Sequence, residues 1–348
     1  MTVFQDLTVD QLLEMQKEKK ITAVDVRSPS EYKEATIPGA LNIPLFNDEE
    51  RAEIGTIYKQ VGVQAAKDRG LEIVSAKLPE FIKTFSAIPN HKAVFCWRGG
   101  MRSRTSATVL DLMGIKTFRL DGGVRAYRRW IVDKIETIHF RPNAYVLNGY
   151  TGSGKTMLLH KLKEQGYPVL DLEGMANHRG SIFGQIGLNP HNQKTFDSLL
   201  IKEALPLQAS PYVVLEAESK RIGKAVLPEF IAEKKEEGTQ LFLDIPRAER
   251  ARFLVEDYRP WEHHEECMKA FYRIKARIHT PAAAQIEASL NAGEYEDAVM
   301  LLLEYYYDPR YEHTAMRYSE EERITLSVKN VEEALGELVK ILPVPVKK

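Results

Sequence analysis

The amino-acid sequence predicts an α/β protein of two domains in series, the first on a mostly parallel sheet and the second carrying a helical insertion. Three observations carry this. The chain has 348 residues, too many for one ordinary core and suited to two domains of about 100–200 residues each. In both halves, short β-rich apolar runs alternate with helical patterns, as in a parallel sheet covered by helices. Between the halves, I-H-F-R-P-N (138–143) breaks the alternation and reads as a linker. The first domain is accordingly set at residues 1–138 and the second at 139–348.

In the first domain, I-T-A-V-D-V-R-S (21–28) reads as a buried strand ending in polar residues. Ser28 is placed to cap the helix of 28–35, with Pro29 at its first position. Residues 48–87 are charged and helix-favouring, a helical excursion from the alternation. H-K-A-V-F-C (91–96) is a strand that delivers Cys96 at its C-terminal end, where the crevice of a parallel sheet lies. Arg102 to Met113 reads as a helix, 116–123 as strand and turn, and Val124 to Glu136 as a further helix. In the second domain the strand candidates are 144–149, 168–172, 212–217, 240–245 and 323–328. The helical stretch between the last two, at about 247–318, is the insertion. It is rich in aromatics and contains His263-His264.

Composition narrows the function classes. With 44% hydrophobic and 28% charged residues the chain is expected to be globular and soluble. No stretch approaches the ~18 continuous apolar residues of a membrane helix, and the N-terminus lacks the basic-then-apolar layout of a signal peptide. Cys96 and Cys267 alone provide neither a disulfide framework nor a zinc set. A reducing, cytoplasmic setting with no membrane partner is expected. The net charge is only −1, but Arg98 to Arg129 holds eight basic residues against two acids. Such a local field suits a polyanionic substrate. Arg125 and Arg129 share a helix face, and with Arg128 they are candidates for phosphate contacts to a nucleic acid.

Cys96 opens C-W-R-G-G-M-R-S (96–103). Gly99 and Gly100 let successive N–H groups curl inward into an anion-binding nest, backed by the helix that starts near Ser103. That field, with Arg98 and Arg102, is expected to favour the Cys96 thiolate. Such a thiolate can hold a terminal sulfur or selenium, or attack phosphorus. Gly149 opens G-Y-T-G-S-G-K-T (149–156), a complete Walker A motif with an apolar strand before it and a helix after it. The N–H groups of Gly152, Ser153, Gly154 and Lys155 are expected to cradle phosphate oxygens, flanked by Thr151. The Lys155 ammonium would lie over the phosphates and the Thr156 hydroxyl would suit Mg²⁺. Walker B is unorthodox: Y-V-V-L-E-A-E-S (212–219) ends in Glu216 and Glu218, which argues against strong ATP hydrolysis. Asp171 and Glu173 are alternative metal or substrate ligands. Arg179 and Ser181, in N-H-R-G-S-I-F-G (177–184) beside His178, suit an anion grip. No residue set is assigned to a metal.

The runs D-V-R-S-P-S-E-Y (25–32), I-P-G-A-L-N-I-P (37–44), the cysteine loop and L-D-G-G-V-R-A-Y-R-R-W (120–130) resemble a rhodanese domain over roughly residues 1–138. Ala35-Thr36 stands where that family has Gly-His. The loop is one residue longer than the usual C-x-x-G-x-R-S and matches the C-x-x-x-x-x-R of cysteine phosphatases. With the Walker A motif and A-N-H-R-G-S-I-F-G following in order, nearly the whole chain resembles the tRNA 2-selenouridine synthase family. The resemblance implies an enzyme acting on wobble 2-thiouridine of tRNA. Geranyl diphosphate would alkylate the sulfur and selenophosphate would then replace it with selenium. It places Cys96 at the selenium step and a diphosphate on Gly149 to Thr156, with no tightly bound cofactor. Whether Cys96 forms a perselenide or only positions the donor stays open. Three other readings remain: a cysteine phosphatase with a nucleotide-binding domain, an ATP-dependent tRNA sulfurtransferase, and a nucleotide-sensing module.

Overall fold

The structure, a computed structural model, describes residues 4–310 and 323–345. The chain forms two compact units, Met1–Thr137 and Ile138–Lys348.

The first unit runs β1 (Gln5–Leu7), α1 (Val9–Lys17), β2 (Ile21–Asp25), α2 (Pro29–Glu34), β3 (Leu41–Asn42), α3 (Asp48–Gln60), α4 (Val63–Ser86), β4 (His91–Phe95), α5 (Met101–Leu112), β5 (Thr117–Leu120) and α6 (Gly123–Thr137). Its sheet has the order β1-β5-β4-β2-β3 and every pairing is parallel. Val24, Val94 and Cys96 pack from it against Phe81 and Phe85 of α4 and Leu110 of α5. Ser28 caps α2 in a reciprocal box with Glu31, Pro29 taking the first helical turn. The helical excursion is α3 and α4. The strands β1 and β3 are too short to show alternation and are not legible as strands in the sequence.

The second unit runs β6 (Asn143–Gly149), α7 (Lys155–Glu164), β7 (Val169–Leu170), α8 (Leu172–Ala176), α9 (Gln193–Leu207), β8 (Tyr212–Glu216), β9 (Arg221–Ile222), β10 (Ala225–Val226), α10 (Glu229–Glu237), β11 (Thr239–Asp244), α11 (Arg247–Tyr258), α12 (His264–Ile274), α13 (Thr280–Ala292), α14 (Tyr295–Leu302), β12 (Arg323–Ser327) and α15 (Val331–Ile341). Its main sheet has the order β12-β11-β6-β8-β7, again parallel throughout, and β9 and β10 form a small antiparallel pair. One face packs on α7 and α15 through Leu158, Leu162, Ala334 and Leu338. The other packs on α8 and α9 through Met175, Phe196 and Leu200. Helices α12 to α14 have a core of their own around Phe271, Ile286 and Leu302. The expected strand 168–172 stops at Leu170 because Asp171 turns to cap α8, accepting from the Gly174 N–H. The last residues of the expected insertion, 311–318, lie outside the described residues. No described helix is long and apolar enough to cross a membrane.

Candidate functional site

Cys96 follows β4 directly and is only 4% exposed. Its Sγ lies 3.2 Å from the Ser103 Oγ, one turn into α5. The carbonyls of Cys96 and Trp97 accept from the N–H groups of Val124 and Arg125, which ties the loop to the start of α6. Gly99 has φ +66°, and a Cβ there would meet the Gly122 nitrogen at 3.0 Å. Gly123 is tighter still: a Cβ would fall 2.1 Å from the Cys96 carbonyl oxygen. With the carbonyls turned outward, the backbone N–H groups from Trp97 to Ser103 donate to no protein acceptor among the described residues. A run of unpaired donors at a helix start has the geometry that suits an anion.

The arginines divide. Arg98 is exposed and available to a ligand. Arg102, expected to serve the anion, is clamped by Glu31 of α2, its Nη2 3.0 Å from Oε1 and its Nη1 on Oε2. Burial opposes the Arg102 charge, but the Glu31 hydrogen bond and charge outweigh it and leave its pKa raised. Arg102 therefore shapes the loop with its charge already partnered. Behind it, Asp25 and Arg27 form a fully buried pair at 2.6 Å. Thr36 donates to Asp25 at 2.8 Å and Arg27 donates to the Ala35 carbonyl at 2.7 Å, so the Ala35-Thr36 departure is built into this support. On α6, Arg125 and Arg129 are exposed, whereas Arg128 is half-buried and less free to reach a phosphate than expected.

In the second unit, Gly149 to Thr156 wraps from β6 into α7. Gly152 and Gly154 take positive φ (+84° and +70°), and a Cβ on Gly154 would strike Val331 at 2.6 Å. Glycine is thus demanded by both conformation and space. The Lys155 ammonium donates to the Gly149 carbonyl at 3.1 Å, folded back over the loop. Arg250 of α11 braces the loop from below. It donates to the Thr151 carbonyl at 3.1 Å, lies 4.9 Å from the Tyr150 ring centroid, and pairs with buried Asp308 at 2.8 Å.

The loop opens on a cavity of about 550 Å³. Thr151 to Thr156, Glu173, Arg179, Ser181 and Glu218 line it, with Phe253, Leu254 and Tyr258 of α11 as an apolar wall. Asp171 and Glu216 are not in that lining. Asp171 is taken up by the α8 cap and by His160 at 2.7 Å. Glu216 is fully buried. One of its oxygens accepts from the Glu173 N–H at 2.7 Å, and its Oε2 has no hydrogen-bond partner among the described residues. Burial, then the charges of Asp171 and Glu173, push Glu216 well above the usual carboxylate range. Glu173 accepts from Thr156 Oγ1 at 2.6 Å, and burial followed by the Glu218 charge pushes it up to about 8. Arg179 is not a free anion grip: Asp257 pairs with it at 2.7 Å and it lies over the Tyr258 ring at 4.5 Å. Ser181 meets the Tyr258 hydroxyl at 3.3 Å. Sequence reasoning missed α11 as a cavity wall and Arg250 as the brace. No local motif marks residues that join the loop only through folding.

Beside this cavity lies a narrower apolar cleft of about 60 Å³. It shares Thr151, Ser181, Leu254 and Tyr258 with the larger cavity and continues to Leu290, Val299 and Tyr307 of the helical insertion.

Fold and sites together define a two-unit α/β protein with a cysteine loop of unpaired N–H donors on one parallel sheet and a P-loop-like glycine loop on the other. Residues 8–129 match the family model of the rhodanese-like domain, and residues 142–276 that of the tRNA 2-selenouridine synthase AAA domain. Curated relatives named tRNA 2-selenouridine synthase include one from Sulfurovum sp., 32% identical over 84% of this chain and 88% of the relative. One from Hydrogenovibrio crunogenus is 32% identical over 85% and 89%. The chain belongs to the tRNA 2-selenouridine synthase family. The relative from Nitrosomonas europaea is 35% identical over 68% of this chain, and the match spans 63% of that relative's length. Among solved structures, one titled the N-terminal domain of a "putative ATP/GTP binding protein" from Clostridium difficile 630 aligns over 37% of this chain and 99% of its own. It does so at 34% identity and a TM-score of 0.34.

Proposed function

We propose that the chain converts wobble 2-thiouridine of tRNA to 2-selenouridine in two steps on its two anion sites. In the first, geranyl diphosphate lies on the phosphate loop. The thiocarbonyl sulfur attacks its C1, the C1–O bond breaks, diphosphate leaves and N3 gives up its proton. Preorganised N–H groups and Lys155 stabilise the departing diphosphate, which is where electrostatic catalysis acts. No ATP hydrolysis is called for, in keeping with a β8 that ends in buried Glu216. The observation that carries this reading is the apolar wall of Phe253, Leu254 and Tyr258 beside the phosphate loop in the cavity of about 550 Å³, which suits a prenyl chain. The Thr156 hydroxyl and the Glu173 carboxylate are the oxygen donors that a diphosphate-bound Mg²⁺ would meet.

In the second step, selenophosphate sits in the nest from Trp97 to Ser103. A perselenide on Cys96 would need a two-electron oxidant, because selenium in the donor is already fully reduced. Attack of the Cys96 thiolate on phosphorus needs none: the S–P bond forms, P–Se breaks, and selenide is released beside the nucleotide. Selenide adds at C2, the alkylthiolate leaves with a proton, and water clears the phosphocysteine as phosphate. The phosphatase-like loop length favours this course. Incubation with 2-thiouridine tRNA, geranyl diphosphate and selenophosphate, read by nucleoside mass spectrometry, tests the reading. Formation of 2-selenouridine only through the S-geranyl nucleoside is expected. A strict ATP requirement would favour a sulfurtransferase instead.

A further inference from the structure

The helical excursion of the first unit has no part in the chemistry above, yet it encloses a cavity of about 400 Å³. Phe46, Ile54, Tyr58, Val63, Leu71 and Val74 supply its apolar lining, mostly from α3 and α4. Its remaining wall is Met101, Arg102 and Thr105, the first two turns of α5, which carry the cysteine loop. Gly70 lies in the floor, where an added Cβ would make ordinary contact with Phe46 at 3.5 Å. Several lining side chains are exposed without a ligand: Leu71 at 70%, Tyr58 and Met101 at 58%, Val63 at 49%. Apolar side chains gathered around one hollow suit an apolar ligand. The charged residues in the lining are all cations, Arg51, Lys67 and Arg102. Glu31 answers two of them, at 3.8 Å from Arg51 and in the Arg102 clamp, which leaves a positive rim.

An apolar hollow with a cationic rim fits a hydrocarbon chain carried on a phosphate-bearing molecule. We infer that this cavity seats the alkyl chain of the S-alkylated wobble nucleotide while its C2 faces the Cys96 nest, the rim meeting the tRNA phosphates. The inference rests on the two-step reading proposed above and adds a second chain-binding site, separate from the one that receives geranyl diphosphate. The chain that enters as the alkylating group would thus also select the nucleotide ready for selenium and hold the departing thiolate.

The test supplies full-length protein with selenophosphate and tRNAs already S-alkylated with methyl, dimethylallyl or geranyl groups, and measures kcat/KM for 2-selenouridine formation. These leaving thiolates are chemically alike, so a chain-length effect reports binding. Burial is worth up to about fourfold per methylene, and geranyl should exceed methyl by at least about tenfold. Val63→Glu and Leu71→Glu change exposed positions. The first adds an acid at the first turn of α4, where the helix dipole favours it, so both variants should fold. Both should flatten the chain-length dependence while forming S-geranyl tRNA from geranyl diphosphate at the wild-type rate. Equal rates for all three tRNAs in the wild type, or an undiminished dependence in both variants, would overturn the inference and leave the two-step reaction standing. A wild type that makes no 2-selenouridine from any of them refutes the reaction itself, and the occupant with it.

Discussion

Asp308→Ala should destabilise the phosphate-loop unit by about 3–5 kcal/mol, the cost of leaving a buried charge without its partner. The Arg250 side chain is only 4% exposed and that of Asp308 9%. The guanidinium meets both carboxylate oxygens, at 2.9 and 2.8 Å. Its other donations reach the carbonyls of Ile245 and Thr151, so it cannot swing to water without releasing the phosphate loop. Arg247 lies 3.1 Å from the same carboxylate but is half-exposed and also paired with Glu304, so it recovers little. At roughly 2–4 °C per kcal/mol for a unit of this size, the melting transition of this unit should fall by about 6–20 °C. Scanning calorimetry of the full chain would show it, with the transition of the other unit unmoved. Arg250→Met combined with Asp308→Leu should recover much of the loss, since apolar replacement of a buried pair is often neutral. An Asp308→Ala protein within about 1 kcal/mol of wild type would refute the brace.

Four further outcomes are expected. Cys96→Ser should abolish 2-selenouridine while leaving S-geranyl tRNA forming, and in a folded mutant wild-type selenation measured on isolated nucleosides would sink the assignment. Lys155→Ala should slow alkylation on the order of 10²–10³-fold at saturating geranyl diphosphate, checked by single-turnover kinetics. Arg125→Ala with Arg129→Ala should weaken all tRNAs alike and flatten the salt dependence of binding, and filter binding across a salt series would reveal an unchanged slope if these arginines are merely solvated. Glu173 and Glu216 both bind protons more tightly folded than unfolded, so between the ordinary carboxylate value and about pH 8 they take stability away as pH rises. Glu216→Gln keeps an acceptor for the Glu173 N–H and should stabilise the protein at pH 8 while changing little near pH 5, as read from denaturant titrations at both values.

The local signals in this chain were strong where local physics decides the structure. The Ser28-Pro29 helix start, the strand that ends at Cys96 and the glycines of 149–156 each follow from side-chain size, backbone freedom and short-range hydrogen bonds. All were legible in the sequence together with the strands of both parallel sheets longer than three residues. Of the strands of two or three residues, only β7 was legible, whereas β1, β3, β9 and β10 carry too few side chains to alternate and are made strands by their neighbours. The partners that set the chemistry were out of reach for a different reason. Arg102 meets Glu31 across 71 residues, Arg250 meets Asp308 across 58, and Glu173 meets Glu216 across 43. A charge in sequence carries no mark of which opposite charge folding will bring to it. Reading alone therefore assigned Arg102 and Arg179 to an anion that tertiary neighbours had already replaced. The apolar cavities beside both loops are likewise products of packing, since a hollow exists only where helices from distant stretches fail to close on one another.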